Sequence, residues 1–150
     1  MITTTQLLIF LAYNGYIASK YGILDSISES YYRLGMDKAI LFWIFLISIG
    51  LLMMMQGGTL FTISGIGLWI VGTFEPFKHR WKSYGTAHYI GAYTAILSAL
   101  IGLGVHRGTY IPLIAFLAVF GLIKLMKPRH ETYWIEMNAF WWIILGLMFY

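Results

Sequence analysis

The chain alternates between long apolar stretches and short polar segments, and the polar segments carry most of its charged residues. An α-helix needs about 20 mainly apolar residues to cross a bilayer, and six stretches approach that length. A membrane β-barrel would show alternating apolar and polar positions over about 10 residues, whereas these stretches are continuous. We predict six helices, at about residues 5–21, 39–55, 60–74, 87–105, 110–126 and 133–150.

Residues that end helices or form turns support these boundaries. Glu75-Pro76 and Pro128 each end an apolar stretch, because proline lacks the backbone N–H and restricts the residue before it. Gln56-Gly57-Gly58 predicts a tight reversal between the second and third helices. The first stretch has neither a basic segment before it nor a cleavage-type sequence after it, so we predict a retained helix rather than a signal peptide.

The composition indicates that lipid, rather than water, surrounds most of the outer surface. Of the 150 residues, 59% are hydrophobic and 11% are charged, against about 25% charged in soluble domains. We therefore predict an all-α, polytopic membrane protein, with residues 1–150 forming a single six-helix transmembrane bundle with short loops. The basic residues lie beside apolar segments, which favours membrane lipids over nucleic acid as partners. Cysteine is absent, so thiolate chemistry is excluded.

The cationic residues predict the orientation. Lysine and arginine near helix ends are retained on the cytoplasmic side, and the six-helix model places nine of the ten on one face, leaving Arg107 alone on the other. We expect a multi-pass protein of the cell membrane, the inner membrane in a bacterium, with both termini non-cytoplasmic. The cytoplasmic loops would be residues 22–38, 75–86 and 127–132.

Small residues predict close helix packing, because they let backbones approach where lipid gives no hydrophobic drive. The fourth helix carries one stripe of such residues, which also includes His88: Gly91, Ala95, Ser98, Ala99 and Gly102. The stripe could pack within one chain, in a homo-oligomer or against a membrane protein partner.

Two ionisable residues enter the predicted spans. His88 and Glu136 each lie about one turn inside a helix that starts at the cytoplasmic face, and an ionisable residue inside a span is costly enough to suggest a function. We consider His88, Glu136 and Asp37 as candidate catalytic groups. The alternatives are a buried hydrogen-bonded pair that fixes helix register, or a glutamate that extends to water.

A metal site is a further hypothesis. His79, His88 and Glu136 could act as zinc ligands on the cytoplasmic side, although no paired-histidine motif is present. The histidines, carboxylates and serines of this face are distantly similar in inventory to those of membrane ceramidases and adiponectin-receptor-like hydrolases. The chain differs from them in length, in helix number and in lacking their paired-histidine last helix.

The polar segment from Ser26 to Tyr32 has two interpretations. Its serines could cap a short interfacial helix, with Glu29 three residues after Ser26 as in a capping box. It could instead bind a lipid headgroup or a partner, together with nearby cations. The candidate residues for such binding are Ser26, Ser28, Ser30, Tyr31, Arg33, Lys78 and Arg80.

Three segments carry a resemblance: SISESYY at 26–32, VGTFEPFK at 71–78 and AHYIGAY at 87–93. They resemble successive signatures of a family of small multi-spanning membrane proteins, of unassigned activity, from gut-type bacteria and their phages. The resemblance implies that His88 and the 26–32 segment belong to one common site at the cytoplasmic face.

Three functions remain open from the sequence. The first is a protein that binds a lipid or a membrane partner at its cytoplasmic face. The second is an intramembrane metal-dependent lipid hydrolase. The third is a small transporter, which is less favoured because no helix is clearly broken at mid-depth.

Overall fold

The computed structural model describes residues 1–35 and 37–150. Within this part of the chain every regular element is helical, as predicted. The seven α-helices are α1 (Ile2–Tyr21), α2 (Ser30–Leu34), α3 (Ile40–Met54), α4 (Thr59–Phe74), α5 (Lys82–Arg107), α6 (Ile111–Met126) and α7 (Glu131–Phe149). A short 3₁₀ turn, Glu75–Phe77, follows α4.

The six predicted helices correspond to the six long helices, and the largest difference is at the start of α5. That helix begins at Lys82 rather than near residue 87, because Trp81 is extended and the polar residues that follow it continue the helix. The short α2 lies in the segment where the serines and Glu29 predict a capped helix.

Five of the long helices form a closed ring in which neighbours pack in the order α1, α3, α4, α5, α7 and back to α1. The sixth, α6, lies outside the ring against α7 and α5. Only Pro112 and Phe116 are buried in α6, whereas α5 buries the whole predicted small-residue stripe together with His88. The ring encloses the core.

Polar contacts define two ends of the bundle. At one end, which we call the basic end, the segment after α1 contacts both the α4–α5 connection and the start of α7, through Lys78–Ser28 and Tyr133–Asp25 hydrogen bonds. Nine of the ten lysine and arginine residues lie in loops or helix ends there. At the opposite end, Gln56 accepts a hydrogen bond from the tenth, Arg107.

The outer surface is strongly apolar. Leucine, isoleucine and methionine side chains stand exposed on the long helices, including Ile114 (64%) and Leu125 (81%) on α6. Two of the described helical segments, Thr59–Phe77 and Lys82–Arg107, are long and apolar enough to cross a membrane, and α3 and α6 are apolar but shorter. By length and composition alone, these two segments are therefore candidates for membrane spans.

Candidate functional site at the basic end

A buried carboxylate lies at the centre of the basic end. Glu75, at the junction of α4 and the 3₁₀ turn, has no exposed surface. Its Oε1 lies 2.6 Å from Lys78 Nζ, and its Oε2 lies 2.9 Å from Nδ1 of the buried His88. Both are ion-pair distances, although among the described residues neither carboxylate oxygen has a partner with hydrogen-bond angles. The carboxylate therefore supplies the negative charge for two basic groups.

Lys78 connects this pair to the 26–32 segment. Its Nζ donates a hydrogen bond of 3.1 Å to Ser28 Oγ and lies 5.6 Å from the centre of the Tyr32 ring. The Tyr32 hydroxyl donates a 2.6 Å hydrogen bond to the backbone carbonyl of Glu75. Partial burial is the main cause that raises the pKa of Tyr32 well above its usual range, and the nearby Glu75 charge adds to the effect. Tyr32 is therefore a neutral donor that fixes the segment against the α4–α5 connection.

The serines of the 26–32 segment form hydrogen bonds within the protein. Ser26 Oγ accepts a hydrogen bond from the Glu29 N–H, as in a capping box, and also lies 3.1 Å from Ser28 Oγ. Ser30 Oγ donates to the Ile27 carbonyl and lies 2.5 Å from the Tyr13 hydroxyl of α1. One half of the predicted capping box is thus present, and it lies before α2 rather than at its N-cap, where Glu29 makes no side-chain capping bond. The Glu29 carboxylate accepts from the Asp25 N–H instead of from that of Ser26. Ser28 and Ser30 are buried.

Glu136 reaches the same segment from α7. Its Oε2 accepts a 2.5 Å hydrogen bond from the Ile27 backbone N–H. The partly buried carboxylate also lines the cavity at the centre of the helix ring. This cavity has a volume of about 60 Å³ and is otherwise mainly apolar, with Ser28 near Glu136 and Gln6 toward the other end. It is large enough for water but smaller than the engineered cavity of about 150 Å³ that binds benzene.

The structure brings some of the predicted site residues together and separates others. His88 pairs with Glu75, and Glu136 instead binds the Ile27 backbone. His79 is exposed and packs its ring 5.3 Å from that of Tyr32. Asp37 is exposed and forms no ion pair within the described residues.

The proposed zinc ligands do not form a site. Across residues 1–35 and 37–150, no three histidine or carboxylate side chains converge in a way that could hold a metal ion. His79, His88 and Glu136 therefore do not fit a zinc centre, and no chemical step is assigned to a metal.

The residues proposed for lipid or partner binding divide by exposure. Arg33 and Arg80 are exposed, Tyr31 and Lys78 are partly buried, and the serines face inward or contact one another. Arg33 bonds Glu29 within the same segment, at 2.8 Å, whereas Arg80 stacks on the exposed Trp81. The groups available to a ligand are thus the exposed cations.

Sequence reasoning missed the role of Glu75, which it treated as a helix stop and as one of several carboxylates near the histidines. The signal was present, since Glu75 and Lys78 are spaced three apart at the end of an apolar helix and a carboxylate there needs a cation. It also missed the network at the opposite end, where Gln56 Nε2 donates to Gln6 and Thr3.

The fold and the site define an all-α helical bundle with an apolar outer surface and a polar network that joins three connections at its basic end. Comparisons with protein-family models, with curated proteins and with solved structures gave no match to this chain.

Proposed function

We propose that this chain is a six-span membrane protein whose basic, cytoplasmic end binds anionic lipid headgroups. The observation that carries the proposal is the distribution of charge along the bundle. Nine of its ten lysine and arginine residues lie at one end and a single one, Arg107, lies at the other. Anionic lipids of the cytoplasmic leaflet attract such cations, at about 1 kcal/mol for each.

The apolar surface supports the membrane-spanning arrangement. The outward sides of α3 and α6 expose large aliphatic side chains such as Ile44, Leu51, Ile114 and Leu117. Soluble monomers rarely expose contiguous apolar patches of more than a few hundred Å². Lipid chains would cover this surface and leave the polar networks at the two headgroup regions.

Ion pairing distinguishes the cations whose charge is already compensated from those whose charge is not. Lys78, Lys124 and Arg33 each pair with a carboxylate. Arg80 and Lys82, on either side of the exposed Trp81, form no ion pair among the described residues. This Arg80–Lys82 segment combines two uncompensated charges with an aromatic ring of the type that lies at membrane interfaces. It is the part of the basic end best suited to an anionic headgroup.

The test compares lipids and variants in purified protein. Detergent-solubilised protein would be titrated with short-chain phosphatidylglycerol and phosphatidylcholine, and bound lipid would be counted by native mass spectrometry. We expect phosphatidylglycerol to bind more tightly. The double variant Arg80→Gln/Lys82→Gln should weaken its binding by roughly tenfold or more, because two charge contacts are lost.

Arg107→Gln is the matched control, since it removes one cation from the opposite end. It should leave the preference for phosphatidylglycerol unchanged. Equal binding of the two lipids by the unmodified protein, or an Arg107→Gln effect as large as that of the double variant, would refute the proposal.

A further inference from the structure

A second feature of the basic end is an open pocket between the segment after α1 and the α6–α7 connection, which we call the loop pocket. It has a volume of about 270 Å³. Its lining includes Asp25 and Glu29 from the first segment, Arg33 from α2, and Arg129 and His130 from the connection. The exposed Ile23 and the neighbouring Leu24 form its apolar edge.

Internal contacts occupy part of the charged lining. Glu29 Oε1 accepts from Arg33 Nε at 2.9 Å and pairs with Nη2 at 2.8 Å, and Glu29 Oε2 accepts from the Asp25 N–H. His130 Nδ1 lies 2.6 Å from Asp25 Oδ1. Both carboxylate oxygens of Glu29 are therefore occupied by contacts within the protein.

The polar groups of the lining that still have free atoms for a ligand include both positive and negative side chains. Arg129 is exposed and forms no ion pair within the described residues. Arg33 keeps its second terminal nitrogen free of the Glu29 contacts, and its side chain is 59% exposed. Asp25 keeps Oδ2, on a side chain that is 80% exposed. The pocket thus presents guanidinium donors and one carboxylate acceptor, beside an apolar edge.

The backbone holds these groups in place. Lys127 and His130 both adopt left-handed conformations, with φ of 44° and 63°, which non-glycine residues seldom do. Pro128 restricts the connection between them. The Tyr133 N–H donates to the Asp25 carbonyl at 3.0 Å, which joins the two walls of the pocket. Arg129 therefore projects from a constrained connection.

We propose that the loop pocket binds a phosphodiester that carries a primary ammonium group, the chemistry of a phosphoethanolamine headgroup. Arg129 and Arg33 would bind the phosphate oxygens, a match to guanidinium geometry, and Asp25 would accept from the ammonium. The two arginines and two carboxylates of the lining balance one another in formal charge, and a zwitterion preserves that balance. This inference rests on the proposed lipid-binding function and names a second, more specific headgroup.

The apolar edge at Ile23 and Leu24 favours a membrane lipid as the source of this headgroup, and the test separates that source from a soluble one. Purified full-length protein would be titrated, by native mass spectrometry, with short-chain phosphatidylethanolamine, short-chain phosphatidylcholine and free O-phosphoethanolamine. We expect phosphatidylethanolamine to bind at least several-fold more tightly than phosphatidylcholine, whose methylated ammonium cannot donate to Asp25. Tighter binding of the lipid than of O-phosphoethanolamine supports the membrane source, and equal binding supports the same chemistry from a soluble ligand.

Two exposed substitutions make the test specific. Arg129→Gln should weaken phosphatidylethanolamine binding by about tenfold, the value of one charge-assisted hydrogen bond. Asp25→Asn should abolish the preference over phosphatidylcholine while phosphate binding remains. Arg107→Gln is again the control that should change nothing.

Equal binding of the two zwitterionic lipids by unmodified protein, or no effect of Arg129→Gln, would overturn the inference. That result is distinct from failure of the proposed function, which is measured by phosphatidylglycerol and the Arg80→Gln/Lys82→Gln variant.

Discussion

Glu75 shows how one buried side chain can organise a whole end of the bundle. Because it faces both Lys78 and His88 and has no exposed surface, its carboxylate offsets the desolvation of the basic groups around it. Removing one partner from a buried ion pair leaves an uncompensated charge, which costs about 3–5 kcal/mol. The position is therefore more sensitive to substitution than any carboxylate at the surface.

We expect Glu75→Gln, which keeps the shape and removes the charge, to destabilise the folded protein by about 3 kcal/mol. Unfolding in detergent, followed by circular dichroism, measures the change. Glu131→Gln is the control, because Glu131 pairs with Lys124 on the surface, and such a pair contributes less than about 1 kcal/mol. Equal effects of the two substitutions would show that the buried contacts of Glu75 are not stabilising.

Lys127 gives a prediction of the opposite sign. It follows the last turn of α6 with φ of 44°, and its N–H bonds the Ile123 carbonyl, a C-terminal position where glycine is preferred. Lys127→Gly should therefore stabilise the protein by about 1 kcal/mol, measured as a higher unfolding temperature in detergent. Lys124→Gly, within the same helix, should lower that temperature by removing helix propensity and the pair with Glu131. A lower unfolding temperature for Lys127→Gly would contradict this account.

At the scale of elements, α4 and α5 approach closely at Gly67, where two backbones meet without intervening side chains. A Cβ on Gly67 would lie 2.7 Å from the Gly91 carbonyl oxygen and 2.8 Å from the Ala95 nitrogen. Both are backbone atoms, so neither can rotate away. The small residues thus set the separation of the two helices.

Gly67→Ala should therefore force α4 and α5 apart and cost about 1–3 kcal/mol. Gly121→Ala in α6 is the matched control, because a Cβ there meets nothing within 4 Å, and it should be neutral or slightly stabilising. Unfolding of the two variants in the same detergent measures the difference. Equal stability would mean that the contact between α4 and α5 relaxes freely.

Helix positions could be predicted from the sequence more fully than helix partners. Apolar length and proline placed all six long helices, and the spacing of small residues from Gly91 to Gly102 identified the buried side of α5. Asn14 illustrates what could not be predicted. A polar amide inside a predicted span favours a hydrogen bond between helices, yet the Asn14 amide donates to the Phe10 carbonyl of its own helix. A polar side chain can form its hydrogen bond with the backbone of its own helix, and sequence spacing alone does not show whether it does so or bonds to a neighbouring helix.

At the scale of the molecule, the candidate site depended on information that spacing does not contain. Spacing predicted that His88 and Glu136 lie near the same end of the bundle, although α5 begins at Lys82 and His88 therefore lies further inside its helix than predicted. The rotation of α5 and α7 and the path of the 26–32 segment decide what each one contacts. His88 faces Glu75 and Glu136 faces the Ile27 N–H. The pairing of Lys78 with Ser28, 50 residues apart, likewise required the tertiary fold.

The orientation in the membrane is a prediction for the whole chain, and the absence of cysteine allows a clean measurement of it. Single cysteines at exposed positions, Thr4→Cys and Tyr150→Cys at the opposite end and Ser83→Cys at the basic end, would be treated in intact cells with a membrane-impermeant maleimide. Because cations are retained in the cytoplasm, we expect the first two to be labelled directly. Ser83→Cys should be labelled only after permeabilisation. Labelling of only one of the two termini in intact cells would mean an odd number of crossings, and the basic end would then have no single leaflet to bind.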